Sequence, residues 1–208
     1  MKHRLALTQG VVWMMPKEHN NKVKFEKASQ CKNGTVSRVC FSTPMGDLEM
    51  KFCPSGIHTL HRLSKDDSDF SPDIWTKVSV KQAEGSSEVH SHVLSCLDWL
   101  KAFFGQPSSR SLAEKPSLCF GNRASGFYPL VWETLAREVP FGTTISYGKL
   151  AILCGSPGGS RAVGTAMREN PILLMVPCHR VIKSDGQIGH FSGGKSVKQW
   201  LLSHEQNK

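Results

Sequence analysis

From Val36 onward, apolar and polar positions take turns. Val36, Arg38, Cys40 and Ser42 fall on one side and Ser37, Val39, Phe41 and Thr43 on the other, the period of a β-strand. Pro44-Met45-Gly46-Asp47 reads as a turn. Leu48 to Phe52 and Ile57 to Leu63 read as further strands, with Pro54-Ser55-Gly56 between them. The pattern predicts an antiparallel meander. Residues 64–88 are charged and Ser-rich and read as a variable loop. The period then changes: Val93, Leu94, Cys96, Leu97, Leu100, Phe103 and Phe104 recur near helical spacing until Gly105-Gln106-Pro107 stops the helix. Residues 36–106 are thus expected to form a small α/β domain.

Residues 107–122 are rich in Pro and Ser and read as a linker to a second domain, 123–208. There the spacing is helical. Phe127, Leu130, Val131 and Leu135 share a face, Pro129 is tolerable in the first turn, and Pro140-Phe141-Gly142 ends the helix. Ser146 is placed to N-cap a helix from Tyr147 to Cys154, which Gly155 stops. After Gly155-Ser156-Pro157-Gly158-Gly159, Ser160 is placed to cap a second helix, which ends near Arg168 because Asn170 precedes Pro171. Two short helices across a Gly-rich turn predict a helix-turn-helix. An apolar run from Ile172 follows and drives into Pro177-Cys178-His179-Arg180-Val181. It reads as a buried strand or a tight interior connection. Ser184-Asp185-Gly186-Gln187 is a hairpin-like turn, Gly189 to Gly194 a Gly-rich loop, and about Ser196 to His204 a last helix with Val197, Trp200 and Leu201 inward. Residues 1–35 are lysine-rich without a period and read as a loosely ordered arm.

Charge adds a partner class. The formal net charge is +9 and the pI about 9.3, which favours polyanions, nucleic acid above all. No stretch has the apolar length of a membrane helix, and Met1-Lys2-His3-Arg4 does not read as the start of a secretory signal. Seven cysteines, an odd number without a small-scaffold spacing, read as reduced thiols of a cytosolic or nuclear protein.

The candidate chemistry centres on Cys178. A thiol near pKa 8.5 needs a base or a positive field to ionise, and His179 and Arg180 adjoin it. In an extended segment neighbouring side chains point to opposite faces, so His179 would act through a water. The alternative is an inert buried cysteine beside a surface histidine. Arg161, Thr165 and Arg168 lie at i, i+4 and i+7 beside the small residues Ala162, Gly164 and Ala166. That face suits close approach to a DNA backbone; a solvated basic face is the other reading. Tyr147 opens a helix beside the glycine turn, where its hydroxyl either meets a ligand or is the polar tip of a packed ring. Cys31, Cys53, His58 and Cys119 show none of the compact zinc spacings.

The ordered set is more specific than its parts. Phe141-Gly142, Ile145-Ser146-Tyr147, Arg161-Ala162-Val163-Gly164, Arg168-Glu169-Asn170-Pro171, Pro177-Cys178-His179-Arg180, Ser192-Gly193-Gly194 and Lys198 to Glu205 together resemble the methylated-DNA–protein-cysteine methyltransferases, the O6-alkylguanine-DNA alkyltransferases. The resemblance runs from about Thr43 to Glu205. It implies a ribonuclease-H-like N-terminal α/β domain and a helical C-terminal domain with a winged-helix-like helix-turn-helix, an α+β fold overall. It implies direct, stoichiometric and irreversible transfer of the methyl or alkyl group from O6-methylguanine (less well from O4-methylthymine) in double-stranded DNA to the protein's own Cys178, with no cofactor, in a nuclear and monomeric protein. His179 would deprotonate Cys178 through a water and Glu205 would hold that histidine. Asn170 would brace the turn before the active-site segment. Tyr147 would bond the flipped base and protonate the departing guanine. Ser192 would meet the O6 side, the Val181 carbonyl the amine, and Met167 would line the pocket. Lys198 would support the network. Arg161 would enter the duplex, with Ala162 and its small neighbours in the minor groove.

The departures are Phe191, where vertebrate relatives usually carry tyrosine, and Glu169, where a small residue is usual. Vertebrate relatives bind a structural zinc. Cys53 and His58 match two ligand positions, Cys119 stands where a histidine is expected, and the remaining position is Gly34, with Cys31 three residues away. Other readings are a lesion binder without transfer on the same fold, a helix-turn-helix regulator and a Cys/His hydrolase. Cys178 speaks against the first, the short arm against the second, and the third lacks an oxyanion hole.

Overall fold

The computed structural model describes residues 30–32, 34–64, 66–84, 91–105, 114–189, 191 and 193–206. The meander is present and larger than expected. A short hairpin, β1 (Gln30–Cys31) with β2 (Gly34–Thr35), precedes β3 (Ser37–Ser42), β4 (Leu48–Cys53) and β5 (Gly56–Arg62). A further strand, β6 (Ser79–Glu84), pairs antiparallel with β3, so the main sheet runs β5-β4-β3-β6. β6 lies inside the stretch expected to be loop. Its Ser79-Val80-Lys81-Gln82 start lacks an apolar alternation because it is an edge strand, with Val80 itself exposed.

One face of the sheet packs on α1 (Ser91–Phe104). Val39, Phe41, Leu48, Met50, Ile57 and Leu60 meet Val93, Cys96, Leu100 and Phe103 in one core. Each such fully buried aliphatic side chain contributes roughly 1.5–3 kcal/mol. That core does not stop at the expected linker. Residues 117–119 bridge to β5: Ile57 N–H donates to the Ser117 carbonyl and Cys119 N–H to the Ile57 carbonyl. The same apolar cluster continues through α2 (Phe127–Glu138) to the C-terminal helix.

On α2 the buried face is Pro129, Val131, Trp132, Thr134 and Leu135. Leu130, expected inside, is exposed, and Trp132 takes its place. The Trp132 indole N–H donates to the Ala166 carbonyl at 2.7 Å, tying α2 to the helix-turn-helix. That motif is α3 (Tyr147–Leu153) and α4 (Ser160–Arg168). Ser146 caps α3 as its sequence suggests, its hydroxyl accepting from Lys149 N–H. Ser160 does not cap α4. The cap position is Gly159, and Ser160 is already helical. No helix among the described residues is long and apolar enough to cross a membrane.

The run Ile172–Val176 is not a strand. Leu60 N–H donates to the Pro171 carbonyl and Leu173 N–H to the Leu60 carbonyl, which anchors the run's start on β5. The chain then folds on itself: Leu174 has φ 68° and Val176 N–H bonds back to the Ile172 carbonyl. Leu174 is the one residue other than glycine with positive φ among the described residues. The run is therefore the tight interior connection, closed by β8 (Val181–Ile182), which pairs parallel with β7 (Ile145–Ser146). α5 (Lys195–Gln206) completes the chain's described part.

Candidate acceptor-cysteine site

Pro177 sits at φ −81°, ψ 62°, an inverse γ-turn in which Cys178 N–H donates to the Val176 carbonyl at 2.8 Å. Cys178, His179 and Arg180 then form a single 3-10 turn, all three buried. The extended geometry expected for Cys178-His179 is thus replaced, because the proline turn and the anchored Ile172 leave no room for a strand. Asn170 holds the turn from below. Its side-chain N–H groups donate to the Val176 carbonyl at 2.8 Å and to Cys178 Sγ at 2.9 Å, while its oxygen accepts from Ile172 N–H at 3.0 Å.

His179 Nε2 lies 2.8 Å from Glu205 Oε1 on α5. Glu205 also accepts from Arg180 Nε and Nη2 and, at 3.0 Å, from Gly142 N–H. Arg180 Nη1 donates to the Val139 carbonyl at the end of α2. Burial alone would push the Glu205 carboxyl up. The hydrogen bonds from His179 and Arg180 and the positive charge of Arg180 outweigh it and hold the group at about 2. Burial lowers His179, opposed by Glu205. The consistent state is a neutral imidazole donating Nε2–H to a carboxylate whose counterion is Arg180. In that tautomer Nδ1 is a free acceptor, and it is buried with no partner among the described residues.

Burial also raises the Cys178 thiol, to about 11, against the Asn170 hydrogen bond, the nearby Lys198 charge and the backbone N–H groups of the 3-10 turn, which pull the other way. At neutral pH such a thiol is almost wholly protonated. Lys198 is fully buried on α5 and donates to the Val181 carbonyl at 2.6 Å; its burial lowers it to about 8. Burial raises the half-buried Tyr147, and the Cys178 charge raises it further, so its phenol remains a proton donor. Gly189, at φ 71°, a conformation that favours glycine, lies against the Tyr147 hydroxyl.

A family profile, 6-O-methylguanine DNA methyltransferase, DNA binding domain, matches residues 126–207. The methylated-DNA–protein-cysteine methyltransferase of Mus musculus is 38% identical over 166 residues, 78% of this chain and 78% of its own length. The chain belongs to the methylated-DNA–protein-cysteine methyltransferase family. The Homo sapiens member is 36% identical over 179 residues, covering 85% of this chain and 84% of its own. Among solved structures, Mycobacterium tuberculosis OGT in complex with DNA superposes with a TM-score of 0.60 at 29% identity, over 81% of this chain and 91% of that one. The expected mixed α/β fold is the fold of these alkyltransferases, and the function is DNA repair by transfer of an alkyl group to a cysteine of the protein itself.

In this methyltransferase the structure gathers Cys178, His179, Asn170, Tyr147, Lys198, Val181 and Glu205 into one region. Met167 is buried in α4, while Arg161 and Ala162 are exposed on its outer side. Ser192 lies outside the described residues. The Val181 carbonyl, expected to meet a base amine, already accepts from Lys198; its second lone pair remains for another donor. Glu169 is exposed and 3.6 Å from Arg168, which moderates its charge. Phe191 lies with Lys198 Nζ 6.0 Å from its ring. Two partners were not legible in the sequence: Arg180 as counterion of Glu205, and Phe103 of α1, edge-on to the His179 ring at 6.4 Å.

A second cluster stands apart. Ligand atoms of Cys31, Cys53, His58 and Cys119 all lie within 4.8 Å of one another. The β1–β2 hairpin places Cys31 directly opposite Gly34, which explains how a ligand three residues away reaches the place of the expected one. Ser55 N–H donates to Cys53 Sγ, and burial lowers the His58 imidazole, which favours its neutral, ligating form.

Proposed function

We propose that Cys178 is the acceptor and that O6-methylguanine, flipped out of double-stranded DNA, is the substrate. The observation that carries this is the buried Sγ held by Asn170 beside a neutral His179 with an open Nδ1. Sγ attacks the alkyl carbon in line as the bond from carbon to guanine O6 breaks. The thiol proton passes by a water to His179 Nδ1, and the Glu205 carboxylate, held in place by Arg180, stabilises the resulting imidazolium. Tyr147 gives its proton to the departing guanine, which leaves poorly as an anion. A thioether has no acidic proton and no easy reverse step, so each molecule acts once. A base inside a duplex is out of reach of a buried sulfur and must leave the stack. Exposed Arg161 at the start of α4 fills the gap, Ala162 and Gly164 let the helix approach the minor groove, and Met167 and Val181 line the base pocket. We propose further that the protein acts as a monomer and, its substrate being genomic DNA, in the nucleus.

The test is intact mass after incubation with a duplex containing one O6-methylguanine. One added methyl per protein, saturating, and absent in Cys178→Ala, is expected. Tight lesion binding without added mass would reduce the protein to a binder.

We also propose that the Cys3His cluster holds one structural zinc. His58 Nε2 is buried without a partner among the described residues, and three sulfurs and an imidazole are the donor set of a closed tetrahedral site. The ion would cross-link the hairpin, β4, β5 and the segment after residue 117 without touching the reaction. The purified protein should contain one equivalent of zinc, and Cys119→Ala should lose it and melt at lower temperature while still accepting a methyl group. Zinc-free wild-type protein with an unchanged melting temperature after chelation would rule the site out.

A further inference from the structure

We infer that Asp67, in the loop between β5 and β6, is a positioning residue for alkyl transfer: it caps, from the other half of the chain, the helix that carries Lys198 and Glu205. The inference rests on the reading of Cys178 as acceptor. Helix α5 begins after Gly194, which has no side chain to satisfy the first-turn N–H groups. The Asp67 carboxylate does so instead. Ser196 N–H lies 3.1 Å from both of its oxygens, the Ser196 hydroxyl 3.2 Å from Oδ2, and the N–H groups of Lys195 and Val197 also point at it. A carboxylate here also opposes the positive end of the helix dipole. Gly194 is at φ 98°, and any Cβ on it would collide with the Asp67 carboxylate. Glycine at 194 thus leaves the room that the Asp67 carboxylate occupies.

The loop is braced at both ends of this contact. Arg62, buried on β5, donates to the Asp66 carbonyl at 2.8 Å and lies over the Phe70 ring at 5.4 Å. Phe70 in turn packs edge-on to Trp200 of α5 at 5.9 Å. Asp67 and Phe70 thus grip the first two turns of the helix. Lys198, whose Nζ reaches the Val181 carbonyl, lies between the two grips, and Glu205, which orients His179, lies further along the same rod. Releasing the cap lets the first turn fray and moves Lys198 relative to Cys178, and transfer is sensitive to displacements well below the size of a side chain.

The experiment compares wild type, Asp67→Ala and Asp67→Asn. It measures the single-turnover rate of methyl transfer from an O6-methylguanine duplex, the affinity for that duplex with Cys178→Ala as background, and the melting temperature. Asp67→Ala should slow transfer by roughly tenfold at saturating DNA, with DNA affinity unchanged. Asp67→Asn, which still accepts N–H bonds, should restore most of the rate. The inference is overturned if Asp67→Ala transfers at the wild-type rate while only its melting temperature falls, or if asparagine rescues stability but not rate. A wild type that leaves Cys178 unmodified would instead overturn the acceptor reading, so the two failures are distinct.

Discussion

Glu205→Gln is expected to destabilise the protein by about 3–5 kcal/mol, the cost of leaving a buried charge without its partner. The charge left behind is Arg180, 7% exposed, whose Nε and Nη2 both point at the lost carboxylate. The same change should depress methyl transfer, since a neutral amide stabilises the His179 imidazolium far less. Acid behaviour gives an independent signature. The carboxyl is lowered from 4.5 to about 2 on folding, so it contributes fully above pH 4.5, and that contribution is lost as the pH falls towards 2. The shift corresponds to about 3 kcal/mol. Urea denaturation of wild type and Glu205→Gln at pH 7, 5 and 3 should show a gap that narrows on the acid side. A loss below about 1 kcal/mol at pH 7, the worth of an ordinary hydrogen bond, would mean that Arg180 finds another counterion and that the network is misassigned.

Asn170→Asp should be the more severe lesion for chemistry. The shape is nearly conserved, and the acceptor for Ile172 N–H remains. Both donations are lost, and a negative charge is placed where the amide now lies 2.9 Å from Cys178 Sγ. The thiol, already raised to about 11 by burial, would be raised further. Removing one donor aimed at developing charge typically costs on the order of 10²–10³ in rate, and here repulsion is added. Single-turnover transfer should therefore fall by at least that range in Asn170→Asp and by less in Asn170→Ala, which adds no charge. Equal rates for wild type and Asn170→Asp would show that the Asn170 contact does not persist in the reacting complex. In that case the Lys198 field and the N–H groups of the 3-10 turn would have to carry the developing thiolate alone.

The sequence by itself determined the elements whose signals are local. Period-two alternation placed β3 to β5. The helical spacing after Val93 placed α1, and Ser146 and the Gly-rich turn placed α3 and α4. The ordered motifs pointed to Cys178 as the candidate acceptor, to its neighbours and to the family, because chemistry needs particular side chains whatever surrounds them. Local rules failed where burial depends on a distant neighbour. β6 has little apolar alternation and exists because β3 offers it an unpaired edge. Leu130 gives way to Trp132 because α4 presents a carbonyl to the indole. Ile172 to Val176 looks like a strand, yet its start is bonded to β5 and the Asn170 side chain closes it into a turn. Only the tertiary structure decided that Arg180 serves Glu205, that Cys31 reaches Cys53, His58 and Cys119 through its hairpin, and that Asp67 caps α5. Each of these joins residues far apart in the chain. Such pairings depend on where packing of the shared core brings their backbones, and composition and spacing carry no record of that.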